Sequence, residues 1–186
     1  SSNILRIQSE FLDGKTGINK LSNMRVELNY AKNITDYCKT NELKEDSAYL
    51  YNFVQKRFIK PVIGEEEDDN GNRRPVYGSI IRPVNVDEYN FRVSYQDEIT
   101  LSSNNPMVRQ TVHTWKDTKK AFRLLNRVTF KHGDYPVNID ISIVRSSKYK
   151  GRNRPITTYT FEESEVAISP ERYEIEIELD NNKLGI

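Results

Sequence analysis

Tyr173-Glu174-Ile175-Glu176-Ile177-Glu178-Leu179 alternates apolar and acidic residues without a break. A period of two belongs to a β-strand, whose successive side chains leave on opposite faces. Glu174, Glu176 and Glu178 therefore share one face, and Tyr173, Ile175, Ile177 and Leu179 the other. Upstream, Asn138, Asp140 and Ser142 alternate with Ile139, Ile141 and Ile143. Arg123, Leu125, Arg127 and Thr129 likewise oppose Leu124, Asn126, Val128 and Phe130. Arg25, Glu27 and Asn29 oppose Met24, Val26, Leu28 and Tyr30, and Arg92, Ser94 and Gln96 oppose Phe91, Val93 and Tyr95.

Working outward, the same pattern predicts eight strands over Ile4–Phe11, Met24–Tyr30, Tyr89–Thr100, Met107–Trp115, Ala121–Lys131, Val137–Arg145, Ile156–Glu163 and Arg172–Leu179. Strands at this density predict a mainly β fold, either a sandwich or a closed antiparallel β-barrel. Between Asn33 and Lys60 the spacing changes. Ile34, Tyr37, Cys38, Leu43, Tyr49, Leu50, Phe53, Val54 and Phe58 recur at helical intervals, with Asn33 as N-cap, which predicts one or two helices packed outside the strands. Residues 64–75 read as an acidic surface loop and residues 146–155 as a basic loop.

The composition, with 36% hydrophobic and 30% charged among 186 residues, suits a single domain with one core, spanning 1–186. No apolar run approaches a membrane span, and no secretion signal is present, so an intracellular protein is expected. Cys38 is the only cysteine, and His113 and His132 the only histidines. An internal disulfide and a cysteine-ligated zinc site are thereby excluded, and any metal is held by oxygen, which favours Mg²⁺ or Mn²⁺. The histidines and Cys38 read as structural. Net charge is only +1, but the charges are sorted along the chain. One basic block runs from Arg109 to His132 and another is Arg145, Lys148, Lys150, Arg152 and Arg154, while acids gather at Glu65–Asp69 and from Glu162 to Asp180.

A polar strand face is ordinarily the solvated side of a sheet. Three glutamates on one such face repel one another, however, and a divalent cation removes that repulsion. Closed into a barrel, these faces would line a wet lumen with arginines on one wall and carboxylates on another, a lining that suits a polyphosphate.

The glutamate strand at 173–179 resembles the C-terminal glutamate strand of the triphosphate tunnel metalloenzymes, in the branch of RNA 5′-triphosphatases that open the mRNA capping enzymes of large DNA viruses. Phe122–Phe130 resembles the basic strand before it, Val137–Ser147 the strand between, and Met24–Leu28 and Asn90–Ser94 the earlier arginine-bearing strands, all in the family's order. The resemblance implies a closed tunnel in which Glu174, Glu176 and Glu178 bind Mg²⁺ or Mn²⁺. It implies that Arg123 and Arg127 contact phosphate, with Arg25, Arg92, Asp140 and Arg145 as weaker matches for substrate binding. The implied reaction is attack of a metal-oriented water on the γ-phosphorus of a 5′-triphosphate RNA end, the first step of capping. Guanylyltransferase and methyltransferase modules are the implied partners, and the host cytoplasm or the virion the implied location. Two features depart from the pattern: the family's first glutamate strand has no counterpart, so a piece of a longer protein is expected, and Leu125 stands where a lysine is usual.

Two other readings compete. One is a non-catalytic β-barrel or virion structural protein. The other is a nucleic-acid-binding β-module that uses the basic blocks with Trp115, Tyr149 and Tyr159 as stacking surfaces. Trp115 reads as core.

Overall fold

The computed structural model describes residues 1–43, 50–151, 154–180 and 183. Tyr49 and Arg152 lie outside the described residues. The chain divides into two compact units, residues 1–54 with 100–186, and residues 55–99.

In the first unit, β1 (Ser2–Asp13) pairs antiparallel with both β10 (Lys120–Lys131) and β3 (Met24–Asn29). β10 pairs with β11 (Val137–Ser146), and β11 with β14 (Arg172–Leu179). The far part of β1 also pairs with β2 (Ile18–Leu21), and β4 (Tyr51–Phe58) and β9 (Gln96–Leu101) complete the order β14-β11-β10-β1-β3-β4-β9. The sheet is antiparallel and strongly curled into a half-barrel, accompanied by two helices. The β1–β2 turn follows from its residues: Asp13 accepts hydrogen bonds from Lys15 N (2.9 Å) and Thr16 Oγ1 (3.0 Å), and Gly17 takes the left-handed φ of 65° that closes it.

Helix α1 (Ala31–Thr40) ends on Asn41, left-handed at φ 55°, whose side chain also accepts from Phe161 N at 2.7 Å. Helix α2 (Pro106–His113) replaces the strand expected over Met107–Trp115. Asn105 Oδ1 accepts from Met107 N at 2.9 Å and Pro106 sits in the first turn, an N-cap and proline start that outweighs the local alternation. The helical spacing expected to continue to Lys60 is corrected as well, because Tyr51–Phe58 is strand β4, with Phe53 and Val54 buried. Pairing in the sheet decides so short an apolar run. Residues 156–163 form no strand beyond the single bridge of Thr158 to Lys120; Glu163 Oε2 accepts from Tyr159 N (3.0 Å) and Thr160 N (3.3 Å) and turns the chain.

Leu5, Ile7, Met24, Val26, Leu28 and Phe122 form the sheet's contribution to the core, against Ile34 and Tyr37 of α1, Val108 of α2, Trp115 and Val166. Trp115 is core, as the sequence predicts, at 2% exposure. Burying each large apolar side chain contributes about 1.5–3 kcal/mol. Both helices thus cover one face of the sheet, the one opposite its polar residues. They cover only part of it: on β11 and β14, Ile139, Ile141, Ile143, Tyr173, Ile175, Ile177 and Leu179 are exposed.

The second unit has no buried residue of its own. The acidic loop expected at 64–75 is a hairpin of β5 (Val62–Glu67) and β6 (Arg73–Tyr77), because Glu66 and Glu67 stand opposite Arg74 and Arg73. β7 (Val84–Val86) pairs with β8 (Phe91–Val93) around a short 3₁₀ turn, and the strand expected from Tyr89 to Thr100 is divided at Ser94 and Tyr95 into β8 and β9. In the first unit, the basic loop carries the two-residue strands β12 (Tyr149–Lys150) and β13 (Arg154–Pro155). No helix among the described residues is long and apolar enough to cross a membrane.

Candidate functional site

Cross-strand partners share a face, so the register shows which alternating sets meet. Arg6 pairs with Glu27 on one side and Arg123 on the other; Arg127 pairs with Ser142, which pairs with Glu174; Thr129 pairs with Asp140, which pairs with Glu176. One polar face therefore runs across β3, β1, β10, β11 and β14. Its middle, on β10 and β11, is buried. Ser142 is 1% exposed, Asp140 7% and Arg127 8%, whereas Ile139, Ile141 and Ile175 on the alternate positions face solvent. On β11 the usual arrangement of an amphipathic strand is inverted: Asp140 and Ser142 are buried and Ile139, Ile141 and Ile143 bare.

Arg127 is the hub. Its Nη1 donates to Asp140 Oδ2 at 2.7 Å, its Nε to Ser142 Oγ at 2.9 Å, and its Nη2 to Glu176 Oε2. Thr129 Oγ1 donates to the other Asp140 oxygen at 2.5 Å. Nearer the solvent, Arg123 Nη2 donates to Glu174 Oε2 at 2.6 Å. On the β1–β3 wall, Glu27 Oε1 accepts from Arg25 Nε at 2.7 Å, and Arg6 Nε approaches the same oxygen at 2.8 Å without hydrogen-bond alignment. Burial lowers the pKa of the Arg6 guanidinium, Arg25 and Arg127 lower it further, and Glu27 and Glu176 oppose them, which places all five charges within electrostatic reach.

Two like-charged pairs stand directly opposite each other on this face, Arg6 with Arg123 and Asp140 with Glu176. Such neighbours have Cβ atoms about 4.5–5.5 Å apart and destabilise a sheet. In this structure each is offset by the opposite sign: Arg127 bridges the two acids, and Glu27 and Glu174 take the two arginines.

Of the residues expected from sequence, Arg123, Arg127, Arg25, Asp140, Glu174 and Glu176 belong to this face, and Glu178 continues it opposite Asn138. Arg145 points the other way. Its guanidinium holds the turn before β14 through Ala167 O (2.8 Å), Ser169 O (3.2 Å) and Glu171 (2.8 Å). Arg92 lies in the second unit, on β8 opposite Asn85. Arg6 and Glu27 were not among the expected site residues; a lone arginine inside the apolar run Ile4–Ile7 was the available signal. Leu125 is 1% exposed, opposite Ile4 and Val144, in an apolar contact.

Among the described residues no three Asp, Glu, His or Cys side chains converge as a metal cage. The donor set itself, carboxylates with hydroxyls and no soft ligand, has the chemistry of Mg²⁺ or Mn²⁺, and Asp140 and Glu176 are a facing pair of hard oxygen donors. No protein-family model matches the chain, and neither a curated protein nor a solved structure is similar to it.

Proposed function

We propose that the enclosed polar face binds a polyphosphate together with a divalent cation, and that the chain is the RNA 5′-triphosphatase part of a viral mRNA capping enzyme. The observation that carries this is the pair of facing like charges. A sheet shaped for stability alone gains nothing from setting arginine opposite arginine and acid opposite acid, each costing up to about 1 kcal/mol. A ligand bearing both signs resolves both conflicts: phosphate oxygens between Arg6 and Arg123, a cation between Asp140 and Glu176. Without ligand the two signs neutralise one another, and Arg127 occupies the cation's place.

In this reading Arg123, Arg127, Arg6 and Arg25 grip phosphate oxygens, where a planar guanidinium offers paired donors. Glu174, Glu176 and Asp140 would hold Mg²⁺ or Mn²⁺, with Glu178 further along the same strand. When bound, that ion supplies charge neutralisation at the γ-phosphate and a water of lowered pKa. Water attacks the γ-phosphorus, the bond to the β-phosphate oxygen breaks, and a carboxylate of this face takes the proton, leaving orthophosphate and a diphosphate RNA end. Guanylyltransferase and methyltransferase modules would act on that end, in the host cytoplasm or the virion. Closure of the half-barrel into a tunnel belongs to the same proposal: β14 ends the strand order, and a further acidic strand added there would complete both the wall and the cation's oxygen shell.

One observation favours a second reading, a non-catalytic β-barrel or structural protein: the arginines and carboxylates already satisfy one another. Release of γ-phosphate from triphosphate-ended RNA separates the two. Mn²⁺-dependent release that is lost in Glu176→Gln and Arg127→Ala supports the first. No release by this chain, combined with melting temperatures indifferent to Mn²⁺ and tripolyphosphate, establishes the second.

A further inference from the structure

A cleft of about 540 Å³ opens at one end of the polar face, lined by Glu10, Phe11, Lys119, Arg154, Thr157 and Tyr159, among others. The strand pattern places it on the same side as the arginines. Lys120 and Phe122 point into the core, at 1% and 0% exposure, so Lys119 leaves on the face of Arg123 and Arg127. On β1, Ser9 is buried opposite Lys120, which sends Glu10 to the side of Arg6. Thr158 bridges to Lys120, which sends Thr157 and Tyr159 to that side as well. Four residues of strand separate Lys119 from Arg123, about 13 Å, the reach of a chain leaving a triphosphate held at Arg123.

The cleft is built before any ligand arrives. Lys120 Nζ, buried over the Trp115 ring, donates to Thr118 O (2.6 Å) and to Tyr159 O (3.1 Å), tying the wall that carries Tyr159 to the edge of β10. Thr157 Oγ1 donates to Glu10 Oε1 at 2.8 Å and fixes the opposite rim. Into this frame projects one large aromatic surface, Tyr159 at 46% exposure. Lys119 Nζ lies 5.5 Å from the Tyr159 ring centre.

We infer that this cleft seats the first nucleotides of single-stranded RNA, with a base against Tyr159 and backbone phosphate at Lys119 and Arg154. Aromatic faces beside cations are the means by which proteins hold single strands irrespective of sequence, and Glu10 offers an acceptor to a ribose hydroxyl, the group that distinguishes RNA. The inference deepens the proposed polyphosphate reading, since it supplies the nucleic-acid half of a triphosphate-ended substrate, and it is testable apart from it.

The test uses three probes against the chain: inorganic tripolyphosphate with Mn²⁺ by calorimetry, and 5′-hydroxyl and 5′-triphosphate pentaribonucleotides by fluorescence anisotropy. Tyr159→Ala should weaken both RNAs by about five- to a hundredfold, the effect of losing one stacked base, while Tyr159→Phe retains binding and tripolyphosphate is unaffected by either. Lys119→Glu, at an exposed position, should weaken both RNAs and flatten the salt dependence, which keeps the test decisive should Tyr159→Ala fold poorly. If tripolyphosphate fails to bind while the hydroxyl RNA binds and loses affinity in Tyr159→Ala, the cleft stands and the polyphosphate site falls. RNA affinities unchanged in both Tyr159→Ala and Lys119→Glu, or a wild-type chain that does not bind the hydroxyl RNA, would overturn the inference.

Discussion

Replacing Arg127 by alanine tests the enclosed polar face where it is most exacting. The substitution removes three hydrogen bonds and leaves Asp140 and Glu176 facing each other without a countercharge. Taking one partner from a buried ion pair costs about 3–5 kcal/mol. The Arg127 and Asp140 side chains are both 10% exposed, but that of Glu176 is 35% exposed, so water relieves part of the loss and the low end applies, about 3 kcal/mol. For a chain of this length that lowers Tm by about 6–12 °C. Arg123→Ala is the internal control: its pair with Glu174 is 35% exposed on both sides, and its loss should cost only about 0.2–1 kcal/mol. Urea titration followed by circular dichroism measures both. Adding Asp140→Asn to Arg127→Ala should recover part of the loss, and Mn²⁺ should raise the Tm of Arg127→Ala more than that of wild type, by taking the place of the guanidinium between the two acids. Equal losses in Arg127→Ala and Arg123→Ala would refute the reasoning, because the polar face would then be solvated throughout.

Three further outcomes follow from burial. The lysine at 120 has its pKa lowered by burial to about 8 from the ordinary 10.5, so between those values the unfolded chain holds a proton that the folded chain has released; stability is penalised below pH 8 and relieved as pH rises through that window. The difference in unfolding free energy between wild type and Lys120→Met should therefore shift toward the wild type from pH 8 to 10, and a flat difference contradicts the burial of that ammonium. Ile7→Ala, at a core position with 0% exposure, should cost about 2–5 kcal/mol, whereas Ile175→Ala, at 69% exposure, should fall within about 0.5 kcal/mol; similar losses would mean that the bare face is covered in solution. Leu125→Lys places an ammonium among Ile4 and Val144 and should lower Tm before it improves any phosphate contact.

Much of the half-barrel was legible because alternation is local. Arg172–Leu179, Lys120–Lys131 and Met24–Asn29 fall within a residue or two of the predicted strands. Alternation assigns residues to two faces and leaves open which of them is enclosed; tertiary packing decides that, and it leaves Ile141 and Ile175 exposed. Partnership was out of reach for a similar reason. That Arg6 meets Arg123, and Asp140 meets Glu176, depends on a register between segments far apart in sequence. Met107–Trp115 alternates like a strand, but Asn105-Pro106 before it is a local helix-start signal, and the helix forms. That Tyr159 lies on the side of the arginines follows from the bridge of Thr158 to Lys120, which only the fold supplies.

Calorimetric titration of tripolyphosphate, with and without Mn²⁺, bears most directly on the claim that this face takes a ligand of both signs. The proposal expects saturable binding that needs Mn²⁺, is abolished in Arg127→Ala and is strongly weakened in Glu176→Gln, because arginines hold the phosphates and carboxylates the ion. Absence of heat in the presence of Mn²⁺, or binding equally tight in wild type, Arg127→Ala and Glu176→Gln, would contradict it and leave the Arg–carboxylate lattice as a structural feature of the half-barrel.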